Sequence, residues 1–154
     1  MPTIELRPVE MDDLETLYEH QSDPVAAEMA AFPSRDHDVF FEHWTTRVFV
    51  NPSNYKRVVL ADGVVAGNVL SWLDPESGHR LFGYWLGREF WGKGIATQAV
   101  KLALGEIEDR PVYADVAVHN IGSQRVLEKN GFQRLSDEPK TEDNGVGLFF
   151  YRLD

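Results

Sequence analysis

The chain contains no cysteine, which excludes disulfide bonds, thiolate metal sites and thiol nucleophiles. It also lacks any apolar run approaching the roughly 20 residues needed to span a bilayer, and Met1-Pro2-Thr3 opens no signal peptide. Positive charge is scarce, with 15 Lys and Arg residues against 25 Asp and Glu residues and a formal net charge of −10. Such a charge disfavours nucleic acid and suits a cationic partner such as an amine or a basic peptide. We therefore expect a cytoplasmic protein with neither a nucleic acid nor a membrane partner.

Length and composition fit one ordinary domain. The 154 residues are 43% hydrophobic, and a chain of this size buries about 70% of its unfolded surface. No repeat, linker or low-complexity segment interrupts the sequence. A single domain over residues 1–154 is predicted. The histidines have no spacing typical of metal ligands, so no metal is expected. They are His20, His37, His43, His79 and His119.

The pattern of apolar residues predicts elements in the order β-α-α-β-β-β-α-β-α-β-β. Strands 57–61 and 64–73 are joined by Asp62-Gly63, a dipeptide typical of a tight hairpin. The last two strands are joined through residues 142–145. This order of elements implies an α/β protein with a mixed sheet flanked by helices.

Helical periodicity is found in three places. It predicts helices over 11–18 and 39–48, whereas the region between Pro24 and Pro33 has no clear pattern. A third helix follows Gly94, and its apolar face contains Ile95, Ala99, Leu102, Ala103 and Ile107.

The most informative segment is 84–99, YWLGREFWGKGIATQA. It predicts a short strand, a turn around Gly92-Lys93-Gly94 and the start of a helix. The free N–H groups and positive dipole end of a helix N-terminus bind anions, and glycine lets a phosphate approach the backbone closely. The segment therefore predicts a site for a phosphate-bearing ligand.

Spacing separates the known kinds of glycine-rich phosphate loop. Gly87-x-x-x-x-Gly92-Lys93 begins like a P-loop, but Gly94 stands where a P-loop needs the Ser or Thr that binds Mg²⁺. Thr97 stands where a dinucleotide-binding fingerprint needs its third glycine or alanine. Hydrolysis of ATP or GTP and dinucleotide binding are both disfavoured.

What remains resembles the acetyl-CoA loop of the GNAT N-acetyltransferases, whose core pattern is Gln/Arg-x-x-Gly-x-Gly/Ala and which here appears as EFWGKG at 89–94. Further along, HNIGS at 119–123 and EKNGF at 128–132 resemble the closing half of the same core. The residues within these motifs are similar to those of the branch that includes the ribosomal-protein-alanine N-acetyltransferases. The resemblance implies a mostly antiparallel twisted sheet of about seven strands, splayed at strands 4 and 5 and flanked by helices.

The resemblance also implies roles for individual groups. The backbone N–H of Leu86 polarises the thioester carbonyl, and the amides of 91–96 hold the pyrophosphate. Asn120 binds the pantetheine arm, and Ser123 either protonates the leaving thiolate or only contacts the cofactor. The predicted catalytic residues are thus Ser123 and Leu86. The predicted acetyl-CoA contacts are Leu86, Trp91, Gly92, Lys93, Gly94, Ile95, Ala96, Thr97, Asn120 and Ser123.

The general base and the acceptor are less defined. Leu81 stands where relatives often have a glutamate, so we expect a water relay to deprotonate the amine, with Glu28, Asp74, Glu76, His43 and His79 as other candidates. Five aromatic residues are candidates for the walls of the acceptor groove. We expect at least half of them to belong to the hydrophobic core instead. They are Trp44, Trp72 and Tyr84, with Phe32 and Phe82.

The predicted function is transfer of an acetyl group from acetyl-CoA to a primary amine, by direct attack in a ternary complex and without a metal. The acceptor is a protein N-terminus or a small-molecule amine, and the enzyme acts as a monomer or a homodimer. Because Leu81 replaces the glutamate that relatives often have, an alternative stays open, in which the protein is a non-catalytic module that binds or senses acyl-CoA. A binder of nucleotides or phosphate esters is a third interpretation, distinguished by a preference for ATP over CoA.

Overall fold

A computed structural model describes residues 1–142 and 144–154. Within these residues the backbone forms one sheet of eight strands with helices on both faces. The strands are β1 (Ile4–Pro8), β2 (Tyr55–Ala61), β3 (Val64–Leu73), β4 (Arg80–Leu86), β5 (Val112–Ala117), β6 (Gln133–Arg134), β7 (Lys140–Thr141) and β8 (Gly147–Leu153). Their order is β1-β2-β3-β4-β5-β8-β6, with β7 paired to β8. The β4–β5 pair is parallel and the other pairs are antiparallel, so the mostly antiparallel mixed sheet is confirmed with one strand more than expected.

In the described part of the chain, five α-helices flank the sheet. They are α1 (Leu14–Ser22), α2 (Pro24–Ala30), α3 (His37–His43), α4 (Ile95–Glu106) and α5 (Ile121–Lys129). α2 occupies a region whose sequence showed no clear periodicity. Pro24 is its first residue, where the missing N–H costs nothing, and the Asp23 carboxylate accepts a hydrogen bond from the Val25 N–H at 3.1 Å. Within the described residues, no helix is long and apolar enough to cross a membrane.

One predicted segment differs from the structure in detail, and another lies partly outside the described residues. The helix expected over 39–48 divides in two, because α3 ends at His43 and the chain continues as a π-helical turn over Trp44–Val48. The predicted turn 142–145 includes Asp143, which lies outside the described residues. By contrast, the Asp62-Gly63 hairpin has the positive φ angles, 49° and 81°, that a type I′ turn requires.

The core lies on both faces of the sheet, and α4 packs on one of them. Leu102 was wrongly predicted to lie on the buried face of α4, since it is 44% exposed. Val100 and Leu104 are buried instead. At about 100° per residue, the buried arc runs from Ile95 to Leu104 and leaves Leu102 roughly 110° from its centre.

The feature that positions the site is the separation of β4 from β5. Their parallel pairing consists of Arg80↔Val112 and Leu81↔Tyr113, at the start of both strands. Beyond these pairs the strands diverge, which confirms the splay expected at strands 4 and 5.

Candidate active site

A cavity of about 550 Å³ opens where β4 and β5 separate. Four parts of the chain line it: the end of β4, the glycine turn with the start of α4, one side of α5 with the two residues before it, and α2. The lining residues are Ala26, Met29, Ala30, Tyr84, Trp85, Leu86, Phe90, Trp91, Gly92, Gly94, Ile95, Ala96, Thr97, His119, Asn120, Ile121, Gly122, Ser123, Arg125, Val126 and Lys129. Tyr84 and Trp85 are consecutive strand residues and point to opposite faces of the sheet. The cavity therefore reaches from the α4–α5 side through the opening to the α2 side.

The glycine turn has the backbone conformation that the motif predicts. Gly92 and Gly94 have φ angles of 72° and 76°, in the left-handed region that side chains disfavour. Gly94 is the N-cap of α4, so the free amides of the first helical turn follow it directly. Both glycines line the cavity, as do Trp91, Ile95, Ala96 and Thr97. Lys93, predicted with them, is exposed and is not among the lining residues in the described ranges.

The backbone of Leu86 is positioned by hydrogen bonding on the other edge of β4. The Gly87 N–H donates to the Ala66 carbonyl at 2.9 Å, so this amide points toward β3. Because successive amides of a strand point to opposite sides, the Leu86 N–H points toward β5, where the two strands have separated. The Leu86 side chain is buried and packs in the core.

The first turn of α5 forms the opposite wall. The Asn120 Oδ1 accepts a hydrogen bond from the Ser123 N–H at 3.2 Å, which makes Asn120 the side-chain cap of the helix. The Tyr84 hydroxyl lies 3.0 Å from the Ser123 Oγ and donates to it. Burial raises the pKa of Tyr84, and the hydrogen bond with Ser123 opposes this increase. Two hydroxyl groups thus meet at the wall of the cavity.

The three aromatic residues predicted to bind the acceptor lie in different environments. Trp44 is 4% exposed and packs against Phe40 and Phe49 in the core beneath α3, and within the described residues it does not line the cavity. Its apolar ring is buried by its own helix and turn. Trp72 is partly exposed on β3, and within the described residues it does not line the cavity. Tyr84 does line it, on the side of α5.

The two further aromatic candidates, Phe82 and Phe32, differ in burial. Phe82 is part of the core. Phe32 is partly exposed and meets Trp85, a lining residue, edge to face with ring centroids 6.5 Å apart. Phe32 therefore contacts a lining residue without lining the cavity itself, within the described ranges.

Two other polar residues near the motif have structural partners. The Arg88 guanidinium pairs with the Asp23 carboxylate at 2.9 Å, beside the start of α2. The His119 Nε2 lies 2.9 Å from the Glu28 carbonyl oxygen and donates to it as the N–H tautomer, tying the start of α5 to α2. Of the side chains considered as general bases, none lines the cavity within the described ranges: Glu28, Asp74, Glu76, His43 and His79.

Sequence reasoning missed two cations and a carboxylate. Arg125 and Lys129 line the cavity from one face of α5, and the i, i+4 spacing between them was a usable signal. Asp115 interrupts the apolar strand β5 on the face opposite the core residues Ala114 and Val116. Partial desolvation raises the pKa of Asp115, and the like charge of Glu142 adds to the increase, but the residue is exposed and does not line the cavity within the described ranges. Alternation along β5 was the signal for this residue.

Among residues 1–142 and 144–154, no group of three or more His, Cys, Asp or Glu side chains is arranged to hold a metal ion. The geometry instead combines amides of a helix N-terminus, a strand amide in an opening, cations and paired hydroxyls. That combination can bind a phosphate-bearing ligand and stabilise negative charge on a reacting carbonyl.

Comparison with known proteins agrees with this geometry. Residues 3–133 match the model of the acetyltransferase (GNAT) domain. The chain is 26% identical to an uncharacterised N-acetyltransferase, p20, of Bacillus licheniformis, over 96% of this chain and 90% of that protein. Its fold is similar to that of the spermidine N-acetyltransferase from Vibrio cholerae solved with CoA and spermine (TM-score 0.83, 16% identity, 97% of this chain and 94% of that one). It is also similar to RimL, the ribosomal L7/L12 alpha-N-protein acetyltransferase, solved with CoA (TM-score 0.81, 19% identity, 98% and 93%). The family expected from the motifs between residues 84 and 132 is therefore confirmed: the chain belongs to the GNAT acetyltransferases.

Proposed function

We propose that this protein transfers the acetyl group of acetyl-CoA to a primary amine by direct attack in a ternary complex. The observation that carries the proposal is the continuous cavity between β4 and β5, which joins the glycine turn to the α2 side of the sheet. Acetyl-CoA entering from the turn and an amine entering from α2 meet at the Leu86 amide. Acetyl-CoA is here a substrate, consumed in each turnover.

The lining residues fit the phosphates of acetyl-CoA. The segment 91–96 contains two glycines with positive φ, Gly92 and Gly94, so at these two positions no Cβ stands between the backbone and an oxygen of the pyrophosphate. Arg125 and Lys129 add positive charge on the neighbouring helix. The Asn120 side chain, already at the wall, is available to the pantetheine arm.

The chemical step follows from the groups around the opening. The neutral amine nitrogen attacks the thioester carbon, and the Leu86 N–H donates a hydrogen bond to the oxygen as its negative charge grows. Collapse of the tetrahedral intermediate breaks the C–S bond, and the sulfur leaves as a thiolate. The Ser123 hydroxyl donates its hydrogen toward that sulfur, while the amine loses its extra proton to water or a base.

The acceptor is proposed to be a cationic amine that loses a proton before attack. Two structural neighbours are named for a polyamine and for a protein N-terminus. Within the described residues none of the candidate bases lines the cavity, so a water relay is the proposed route by which the amine loses its proton. The net charge of −10 favours such an acceptor over an anionic one.

Calorimetric titration with acetyl-CoA, CoA and ATP tests the cofactor, and thiol release with a panel of polyamines, aminoglycosides and peptide N-termini tests the reaction. We expect micromolar binding of acetyl-CoA and CoA, no binding of ATP, and turnover with at least one amine. Binding of CoA without transfer to any amine would favour the acyl-CoA-binding module. Failure to bind CoA, or preference for ATP, would contradict the proposal.

Three expectations from the sequence stay predictions beside this proposal. They are a single acetyltransferase domain over residues 1–154, a cytoplasmic location, and a monomeric or homodimeric state.

A further inference from the structure

Two hydroxyl groups from distant parts of the chain meet inside the cavity. Tyr84 belongs to β4 and Ser123 to the first turn of α5, and their oxygens are 3.0 Å apart. Both residues line the cavity. The hydrogen bond between these two residues determines the direction in which the hydroxyl hydrogen of Ser123 points.

The direction of the hydrogen bond follows from acidity. A phenol is a far stronger acid than an aliphatic alcohol, so Tyr84 is the better donor and the Ser123 Oγ is the acceptor. A hydroxyl has one hydrogen and two lone pairs, and one lone pair of Ser123 is occupied by Tyr84. The Ser123 hydrogen is then free to point away from Tyr84, into the cavity.

Both partners are held in place. The Asn120 cap fixes the backbone of Ser123 through the 3.2 Å bond to its N–H. The Tyr84 ring packs against the core, and burial raises its pKa, so the phenol retains its proton near neutral pH. The phenol is therefore a fixed donor rather than a source of protons.

We propose that Tyr84 is a positioning residue that turns the single hydrogen of Ser123 toward the thioester sulfur. The inference rests on the proposed acetyl-CoA site and assigns Tyr84 a role beyond lining it. Tyr84 acts through Ser123, and only Ser123 contacts the sulfur. The hydrogen bond from Ser123 stabilises the thiolate form of CoA, so it makes the bound thiol a stronger acid.

The test uses CoA itself, because its bound thiol responds without an acceptor amine. The chain has no cysteine, so the thiol of bound CoA is the only thiol in the sample. The rate of its alkylation by iodoacetamide is measured against pH, with protein in excess, and the midpoint of the profile reports the acidity of the thiol. The variants are Tyr84→Phe, which keeps the ring and removes the hydroxyl, Ser123→Ala, and the double variant. Tyr113→Phe removes a phenol from β5 outside the lining residues and is the control.

We expect Tyr84→Phe and Ser123→Ala each to make the bound thiol about tenfold weaker as an acid than in the wild type. The double variant should match Ser123→Ala alone, since Tyr84 acts through that serine. Tyr113→Phe should leave the midpoint unchanged. With an accepted amine, Tyr84→Phe should lower kcat about tenfold and change the KM for acetyl-CoA less than about twofold.

The outcomes separate the two proposals. Unchanged midpoints in Tyr84→Phe, or additive effects in the double variant, would overturn the role of Tyr84 while leaving CoA binding intact. A wild-type protein that does not bind CoA would overturn the acetyl-CoA site, and this inference with it. Calorimetric affinity for CoA in each variant distinguishes these results.

Discussion

At the scale of single residues, the two glycines before α4 decide how closely a ligand approaches the backbone. A Cβ built on Gly92 would meet no heavy atom within 4 Å, so its positive φ, rather than crowding within the protein, is the reason for glycine there. Gly94 has the same kind of φ, and a Cβ on it would meet only the flexible end of Met1, at 3.0 Å. Space above both glycines is thus available to a ligand.

Replacing Gly94 with arginine should fill that space. We expect Gly94→Arg to weaken acetyl-CoA binding by at least about tenfold, because the side chain occupies the place of the pyrophosphate and the backbone is strained at positive φ. Gly105→Arg, the same substitution on the last turn of α4 and outside the lining residues, is the control. Calorimetry measures affinity, and circular dichroism checks folding. Unchanged affinity in folded Gly94→Arg would refute the assignment of the turn.

The sequence predicted single residues well where a motif fixes backbone conformation. Gly92, Gly94 and the Asn120 cap stand where their local sequence places them, since turns and caps depend on neighbouring residues. The hydrogen bond between Tyr84 and Ser123 was not predicted, because it depends on how β4 and α5 pack. The sequence did not show whether Trp44 belongs to the core or to a groove, because an aromatic residue type does not reveal which surface covers it.

At the scale of elements, one ion pair joins β1 to the start of α1. The Arg7 guanidinium makes two hydrogen bonds of 2.8 Å to the Asp13 carboxylate, which also accepts the Glu10 N–H at 2.7 Å. The Asp13 side chain is 8% exposed, so little water competes for it. The hydrogen bonds from Arg7 lower the pKa of Asp13, against the opposing effect of burial.

We expect Asp13→Asn to reduce the free energy of unfolding by about 2 kcal/mol at neutral pH, since it removes a charge-assisted pair. Because the folded protein lowers the pKa of Asp13, this stabilisation is present above the ordinary aspartate pKa and is lost as the pH falls through the lowered value. Urea denaturation from neutral to acidic pH measures both effects. The difference between wild type and Asp13→Asn should shrink in acid. Asp12→Asn, on an exposed neighbour, should change little, and an equal loss in both variants would contradict the prediction.

Gly67 allows the backbones of β3 and β4 to approach each other closely. A Cβ at this position would lie 2.1 Å from the Trp85 carbonyl oxygen and 2.9 Å from the Leu86 Cα, both backbone atoms that cannot rotate away. Gly67 pairs with Leu86 across the two strands, so any shift here moves the amide proposed to bind the oxyanion.

Gly67→Ala should therefore cost about 1–3 kcal/mol of stability and also lower kcat/KM, through displacement of Leu86. Gly83→Ala on the same strand pair is a matched control, because its Cβ would lie 3.6 Å from the Trp72 ring, an ordinary contact. Thermal unfolding and acetyl transfer are measured for both. Wild-type activity in Gly67→Ala would count against the role of the Leu86 amide.

At the scale of the whole molecule, the charge of the protein and the charge of its proposed substrate have the same sign. The chain carries a formal −10, and the phosphates of CoA are anionic. Binding therefore needs local positive charge, and Arg125 and Lys129 supply it beside the cavity. At about 0.1 M salt the Debye length is roughly 10 Å, so these cations act on the phosphates more strongly than distant carboxylates do.

Replacing Arg125 with glutamine tests whether the placement of charge matters more than its total. Arg125→Gln and Lys101→Gln each remove one positive charge, but Lys101 is an exposed residue of α4 outside the lining residues. We expect Arg125→Gln to weaken CoA binding by about tenfold at low salt and Lys101→Gln by less than about twofold. The effect of Arg125→Gln should decrease as salt rises, because an exposed cation is screened. Calorimetric titrations at two salt concentrations measure this. Equal losses in the two variants would mean that only the net charge, and not the position of Arg125 at the cavity, governs the approach of CoA.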